Sequence, residues 1–386
     1  MKIKLYNKIS RVGLDALEKQ GADYSEEMEN YDGIMVRSAA LHDVEFEESL
    51  LAIARAGAGV NNIPIDRCSE NGIVVFNTPG ANANAVKELV IAGMLISSRD
   101  MFGGMEWAKT LKGSENVAKA VEKGKSQFAG PEIYGKTLGI VGLGAIGAMV
   151  ADAARHLGME VYGYDPYISV DAAWRLSRHI HKATSLTDMF SNCDYISLHL
   201  PLMDSTKGII NEECFNAMKD GVRLLNFARG GLVDTEALKA ALESGKVAKY
   251  VTDFPDDDTI GLENCIAIPH LGASTPESED NCAIMAAQEL TDYIKYGNIV
   301  NSVNMPNVEM SKNSNTRICI IHKNVPNMLS QFSNLLGKDG VNIDNLLNKS
   351  KGEYAYTMID AADTDTEKLV RDLKAIKEVI KVRVIK

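Results

Sequence analysis

The sequence predicts an α/β protein. It reads as a doubly wound parallel sheet, a further α/β domain towards the N-terminus and a small α+β module at the C-terminus. Three observations carry this. Between residues 138 and 271, short apolar runs alternate with stretches of helical length, as in a parallel sheet covered on both faces. The first of those runs opens into Gly142, Gly144 and Gly147. Beyond residue 306 the composition shifts, and a strand–helix–strand–strand–helix–strand pattern follows.

In chain order, "GIMVRS" (33–38) and "GIVVFN" (72–77) are β-branched runs bounded by turn residues, with the glycine-rich loop "RAGAGVNN" between them. After "TPGANANA" the period becomes helical, with Val86, Leu89, Val90, Met94 and Leu95 at helix spacing. The polar stretch from Leu111 to Thr137 reads as a solvated connector. Strands are expected at "LGIVG", "EVYGY", "YISLH", "VRLLNF", "AKYVT" and "CIAI", with helices filling most of the gaps. "PESEDNCAIMAAQELTDYIKYGN" is a long helix ending near Gly297. "NVEMSKNSN" (307–315), rich in Asn and Ser, reads as a linker. The βαββαβ pattern beyond it is that of a ferredoxin-like module.

Composition narrows the function. A net charge of −11 argues against a nucleic-acid surface, which needs a clustered basic patch. No apolar run reaches the roughly 18 residues of a membrane span, and "MKIKLYNKIS" lacks the apolar core of a signal peptide. The six cysteines are scattered without metal-ligand spacing, so reduced thiols, a cytoplasmic location and no metal are expected.

The glycines have a physical reading. Gly142 makes the tight turn after a strand, Gly144 lets backbone approach a pyrophosphate, and Gly147 lets the next helix pack on the strand. Ala145 and Ile146 complete the loop, whose helix N-terminus aims amides at phosphate. Asp165 closes the following strand, where a carboxylate accepts from ribose hydroxyls and repels a 2′-phosphate. This is a Rossmann-type site for NAD in preference to NADP. Two loops after strands then stand out: "LLNFARGGLVD" carries Arg229, suited to a bidentate grip on a carboxylate, and "IAIPHLGAST" carries His270, a proton carrier near neutral pH. Together they suit a small 2-hydroxy or 2-oxo acid.

The segments "GKTLGIVGLGAIG", "ISLHLPL", "MKDGVRLLNFARGGLVD" and "PHLGAST" closely resemble the NAD-dependent D-2-hydroxyacid dehydrogenases, over roughly residues 1–305. The C-terminal module resembles an ACT domain, a ligand-binding regulatory unit. The resemblance implies a flavodoxin-like substrate domain (1–84 plus 285–306), an NAD-binding domain (85–284), a linker (307–315) and a regulatory domain (316–386). It implies that Arg229 holds the substrate carboxylate and that His270 is the acid/base at C2. Around the cofactor it places Phe227, Ala228, Arg229, Asp253 (or Thr252), His270 and Gly272. On the substrate side it places Arg37, Ser38, the amides of Gly59 and Val60, and Asn82. In the module, His322, Asn324 and Asn342 match positions that bind serine in regulated members. A homodimer or homotetramer is implied, with L-serine as effector.

Departures from the family pattern are informative. The usual Glu-Pro after the strand "KYVTDF" is absent; "TDFPDDDTIG" leaves Asp257, then Asp258, as partner for His270, which would raise its pKa above roughly 6.5. Ala145 stands where many members carry Arg, Ala39 where a second loop Arg is common, and Asn327 where Gly is usual. The resemblance, with its ACT domain, implies oxidation of 3-phospho-D-glycerate. Reduction of glyoxylate or hydroxypyruvate, and an NAD-sensing corepressor-like binding role, are the alternatives.

Overall fold

The computed structural model describes residues 1–311, 316–362 and 365–386. Residues 312–315 of the expected linker, and 363–364 of the C-terminal module, lie outside the described residues. The chain divides into two compact units, Met1–Asn82 with Pro276–Lys386, and Ala83–Thr275. The long helix runs unbroken over Pro276–Tyr296, so a boundary drawn at residue 284 falls inside it.

The second unit holds a seven-stranded parallel sheet in the order Cys265–Ala267, Val247–Thr252, Val222–Asn226, Tyr195–Leu198, Thr137–Val141, Glu160–Tyr164, Ile180–Lys182. The strand order reverses beside Thr137–Val141, and ligands bind at such a switch point, outside the strands' carboxyl ends. Tyr195–Leu198 is buried at every position, Ser197 included, as expected of a central strand covered on both faces. The polar connector is more ordered than its composition suggests. It contains a helix, Val117–Gly124, capped by the Asn116 side chain, and a short 3₁₀ turn, Lys125–Phe128. Phe128 packs on Trp107 with ring centroids 5.3 Å apart. None of these helical residues is buried.

In the first unit a five-stranded parallel sheet has the order Asp23–Ser25, Lys2–Tyr6, Gly33–Val36, Ala52–Arg55, Val74–Phe76. This is the flavodoxin-like order. One face packs Ile3, Met35 and Ala54 against Leu17, Ala286 and Leu290; the other packs Ile34, Val36, Ile53 and Val75. The helix Arg11–Lys19 crosses Pro276–Tyr296 closely enough that a Cβ on Gly13 would lie 2.6 Å from that of Ala283.

The C-terminal module belongs to this same unit. Its antiparallel sheet has the order Ile343–Lys351, Tyr354–Ala361, Thr316–Lys323, Val379–Ile385. Helices Met328–Lys338 and Thr366–Lys374 cover one face over Ile318, Ile320, Phe332, Leu336 and Leu373. The other face, through Cys319, Ile321, Tyr356 and Met358, joins the core built by Leu290 and Tyr293 of the long helix. Side chains of this sheet also satisfy the carbonyls that a helix leaves open at its C-terminal end. Arg383 donates to Tyr293 and Ile294, Arg317 to Tyr296 (2.8 Å), and the Tyr356 hydroxyl to Gly297 (2.7 Å). Asn327 takes the left-handed φ of 71° where glycine is usual in the family, a conformation that asparagine tolerates. All six cysteines are free thiols. Among the described residues no helix is long and apolar enough to cross a membrane, and no cluster of His, Cys, Asp or Glu could hold a metal.

Candidate active site

The strand Thr137–Val141 ends in the glycine loop. Gly142 has φ 93°, and a Cβ there would lie 2.6 Å from the His199 carbonyl. A Cβ on Gly147 would come within 2.0 Å of the Gly142 carbonyl, so only glycine lets this helix meet the turn. Gly144 faces open space and caps Ala145–His156 without a side-chain bond. The amides of Gly144, Ala145, Ile146 and Gly147 have no acceptor among the described residues. Four open donors at a helix N-terminus, with no side chain between them and solvent, fit a pyrophosphate.

Asp165 is tied to this loop. Its carboxylate accepts from the Leu143 amide (2.9 Å) and from the Tyr167 amide (2.9 Å), leaving lone pairs for ribose hydroxyls. His199, after the strand Tyr195–Leu198, is a further residue at the switch point. Its Nε2 meets the Ser197 hydroxyl at 2.9 Å, while its buried Nδ1 has no partner among the described residues. Burial pushes this imidazole down to about 4, so it stands neutral beside the phosphate loop. The signal in the sequence was a histidine just past the carboxyl end of a buried strand.

Arg229 and His270 follow different parallel strands and share one aromatic neighbour. The Phe254 ring lies 4.7 Å from the His270 ring, and the Arg229 guanidinium stands 5.9 Å from the same centroid. Both functional side chains are exposed, and among the described residues neither meets a carboxylate. The backbone under Arg229 is fixed by buried Asn226. Its amide oxygen accepts from the Ala228 and Arg229 amides, and its nitrogen donates to the Arg229 carbonyl (2.8 Å) and the Tyr250 hydroxyl. His270 has a strained backbone, φ 52°. Asp253, 1% exposed, holds the loop that follows by accepting from the Leu271 (2.7 Å) and Gly272 (2.8 Å) amides. Thr252 is buried and accepts from the Phe254 amide. Phe227 is a core residue, its ring pressed against Gly93, so any cofactor contact there is through backbone.

The three aspartates form a capped surface turn. Asp256 accepts from the amide and hydroxyl of Thr259, and Asp258 pairs with Lys239 at 3.1 Å. Asp257 is exposed. Neither Asp257 nor Asp258 is bonded to His270, whose ring packs on Phe254.

In the first unit the loop after Ala52–Arg55 is a nest of backbone donors. Its carbonyls are occupied: Ala58 by the Asn77 side chain, Gly59 by Arg55, Asn61 by His42. The amides of Ala58, Gly59, Val60, Asn61 and Asn62 have no acceptor among the described residues. Arg55, which sequence reasoning passed over inside "RAGAGVNN", also donates to the Arg37 carbonyl at 3.0 Å. It thereby joins the nest to the neighbouring Arg37–Ser38 loop, where the Ser38 and Ala39 amides are held by Asn7. Arg37 itself pairs with Glu279 at 2.5 Å. Asn82 closes the first unit's N-terminal segment.

In the module, His322 is 2% exposed, and both ring nitrogens are engaged, by the Lys323 carbonyl (2.8 Å) and the Thr357 hydroxyl (2.9 Å). Asn324 bonds Gly352 and Glu353, at the Tyr354 end of the strand Tyr354–Ala361. Asn342 accepts from Ala362, at the other end. Seven residue steps of strand separate those ends by roughly 23 Å. One chain therefore does not bring the three residues together.

A nucleotide loop with an acid behind it, and an Arg and a His after further strands, are the features of a dinucleotide-binding domain with polar groups at its strand ends. Residues 94–272 match the family model of the D-isomer specific 2-hydroxyacid dehydrogenase, NAD binding domain. It is 34% identical over 319 residues to the D-3-phosphoglycerate dehydrogenase of Bacillus subtilis (80% of this chain, 58% of the relative). It is 35% identical over 309 residues to the human enzyme of that name (76% and 55%). The chain thus spans less than two thirds of the length of these relatives. Among solved structures, it resembles an NAD+-bound 3-phosphoglycerate dehydrogenase of Entamoeba histolytica, with a TM-score of 0.59 and 28% identity over 79% of this chain and 98% of that one.

Proposed function

We propose that the chain oxidises 3-phospho-D-glycerate to 3-phosphohydroxypyruvate with NAD, the first step of serine synthesis by the phosphorylated route. The observation that carries this reading is the pairing of Arg229 and His270 about the Phe254 ring. A cation with no carboxylate of its own takes the substrate's carboxylate and orients C2. His270 accepts the C2 hydroxyl proton as the carbonyl forms, and returns it in reduction. NAD, when bound, supplies the hydride acceptor. Gly144–Gly147 would hold its pyrophosphate, and Asp165 the adenosine ribose. In the first unit, Arg37, Arg55 and the amides of 58–62 present a surface suited to the substrate's anionic groups.

Ala39 favours a second reading. One cation fewer in the substrate loop suits an unphosphorylated acid such as glyoxylate or hydroxypyruvate. Initial rates with NAD and NADH on 3-phosphoglycerate, 3-phosphohydroxypyruvate, hydroxypyruvate and glyoxylate decide between them. A kcat/KM preference for the phosphorylated pair supports the first reading, and a preference for glyoxylate the second. No turnover of any would leave a binding protein. The module supports a regulated homodimer or homotetramer, two copies bringing Asn324 of one to Asn342 of the other around L-serine. Sedimentation with and without serine tests it.

A further inference from the structure

Where the C-terminal module meets the N-terminal sheet, within the first unit, lies a cavity of about 630 Å³ that the dehydrogenase chemistry does not use. Its lining divides by charge. Glu45, Glu47 and Glu48 come from the segment before Leu50, beside Arg67, whose guanidinium is held by the Leu41 and Val44 carbonyls, and Lys374 and Lys381 come from the module. Lys381 is unusual among them. Its ammonium donates to the Leu50 carbonyl at 2.6 Å, and no carboxylate lies within ion-pair distance among the described residues. Its Cβ lies against Gly72, where an added Cβ would come within 2.8 Å of it. Burial, then the like charges of Arg383 and Lys374, push it down to about 8, against a partial offset from Glu48. Half-buried cations are ordinarily paired; this one faces open volume.

We propose that this seam binds a small zwitterionic amino acid, its carboxylate on Lys381 and Lys374 and its ammonium on the glutamates of 45–48. The volume falls within the range of small-molecule sites. An anion alone would meet the glutamates, and a cation alone the lysines; only a ligand carrying both charges satisfies both walls. The site lies within one chain, away from Asn324 and Asn342 on the module's sheet ends. It goes beyond the dehydrogenase reading and does not depend on it.

Calorimetric titration of the full chain with L-serine, glycine, acetate and ethylammonium tests it, with NAD-linked turnover assayed in parallel. The amino acids are expected to bind saturably, and the two half-ligands much more weakly. Lys381→Met should weaken amino-acid binding roughly tenfold or more, as for a lost charge-assisted hydrogen bond. Lys374→Gln and Glu48→Gln, both at exposed positions, carry the same test with smaller losses should the Lys381 variant not fold. Asn324→Ala should leave saturable binding at the seam in place, whatever it removes at the module's sheet ends. The proposal falls if millimolar amino acid does not bind, if acetate binds as well as serine, or if binding survives the lysine changes but is lost in Asn324→Ala. Turnover that persists while binding is absent sinks the seam site alone.

Discussion

Arg37, on the loop after Gly33–Val36, donates to Glu279 at 2.5 Å, in the first turn of the helix Pro276–Tyr296. A resident anion therefore occupies a cation expected to meet substrate. Both side chains are more than a third exposed, so the pair is weak, roughly 0.2–1 kcal/mol. Glu279→Gln should lower KM for the anionic substrate up to about fivefold and leave kcat unchanged. An unchanged KM would remove Arg37 from the substrate surface.

His270→Ala should abolish turnover while leaving NADH affinity near normal. General acid–base groups contribute about 10²–10⁴-fold. Fluorescence titration with NADH beside a rate assay checks both halves. Activity within about threefold of the parent chain would contradict the acid–base role.

Asp165→Ser should reduce the ratio of kcat/KM for NAD over NADP by roughly tenfold or more, since the ribose hydrogen bonds and the repulsion of a 2′-phosphate are both lost. Because Asp165 also holds the Leu143 amide, NAD affinity itself should fall. A change in ratio with no change in NAD affinity would mean that the loop keeps its shape without this bond.

Glu289, on the long helix, is held by the Asn301 side chain through one oxygen, while the other is buried with no partner among the described residues. Burial raises its carboxyl to about 8. The folded state thus keeps a proton that the unfolded chain gives up above an ordinary carboxyl pKa of about 4.3, so stability falls as pH rises from there towards 8. Glu289→Gln should flatten this fall, seen as a higher melting temperature at pH 8 with little change at pH 5. Parallel pH profiles for the two proteins would show that Glu289 ionises freely in the folded chain.

Arg317 and Asp360 are cross-strand partners, joined by two bonds of 2.6 and 2.8 Å, with neither side chain exposed. Arg317→Ala leaves a bare buried carboxylate and an unmet helix carbonyl. The expected cost is about 3–5 kcal/mol, read by denaturant unfolding. A cost below about 1 kcal/mol would mean that water reaches the seam.

The glycine loop was legible because Gly142 and Gly147 answer to backbone collisions, which leave no choice of residue. Arg229 and His270 stood out because both follow strands of the parallel sheet, where such a sheet presents its ligand-facing loops. Asn226, His199 and Phe254 were not, since a buried amide that ties a loop looks in sequence like any strand residue, and an aromatic looks like core. The short strands Asp23–Ser25 and Ile180–Lys182 escaped because three-residue edge strands carry no period. The aspartate run misled differently. Charge can be read from sequence, but the turn that spends Asp256 on Thr259 and Asp258 on Lys239 cannot.

The seam between the long helix and the module limits how this protein can be divided. A cut at the change of composition near residue 307 would remove the donors to the carbonyls of Tyr293, Ile294, Tyr296 and Gly297 and bare the apolar face of Leu290 and Tyr293. A shortened chain would be sticky and less stable, and the excised fragment would expose the matching face of Cys319, Ile321 and Met358. Chimeras that exchange the C-terminal segment should therefore carry the helix from Pro276 along with it.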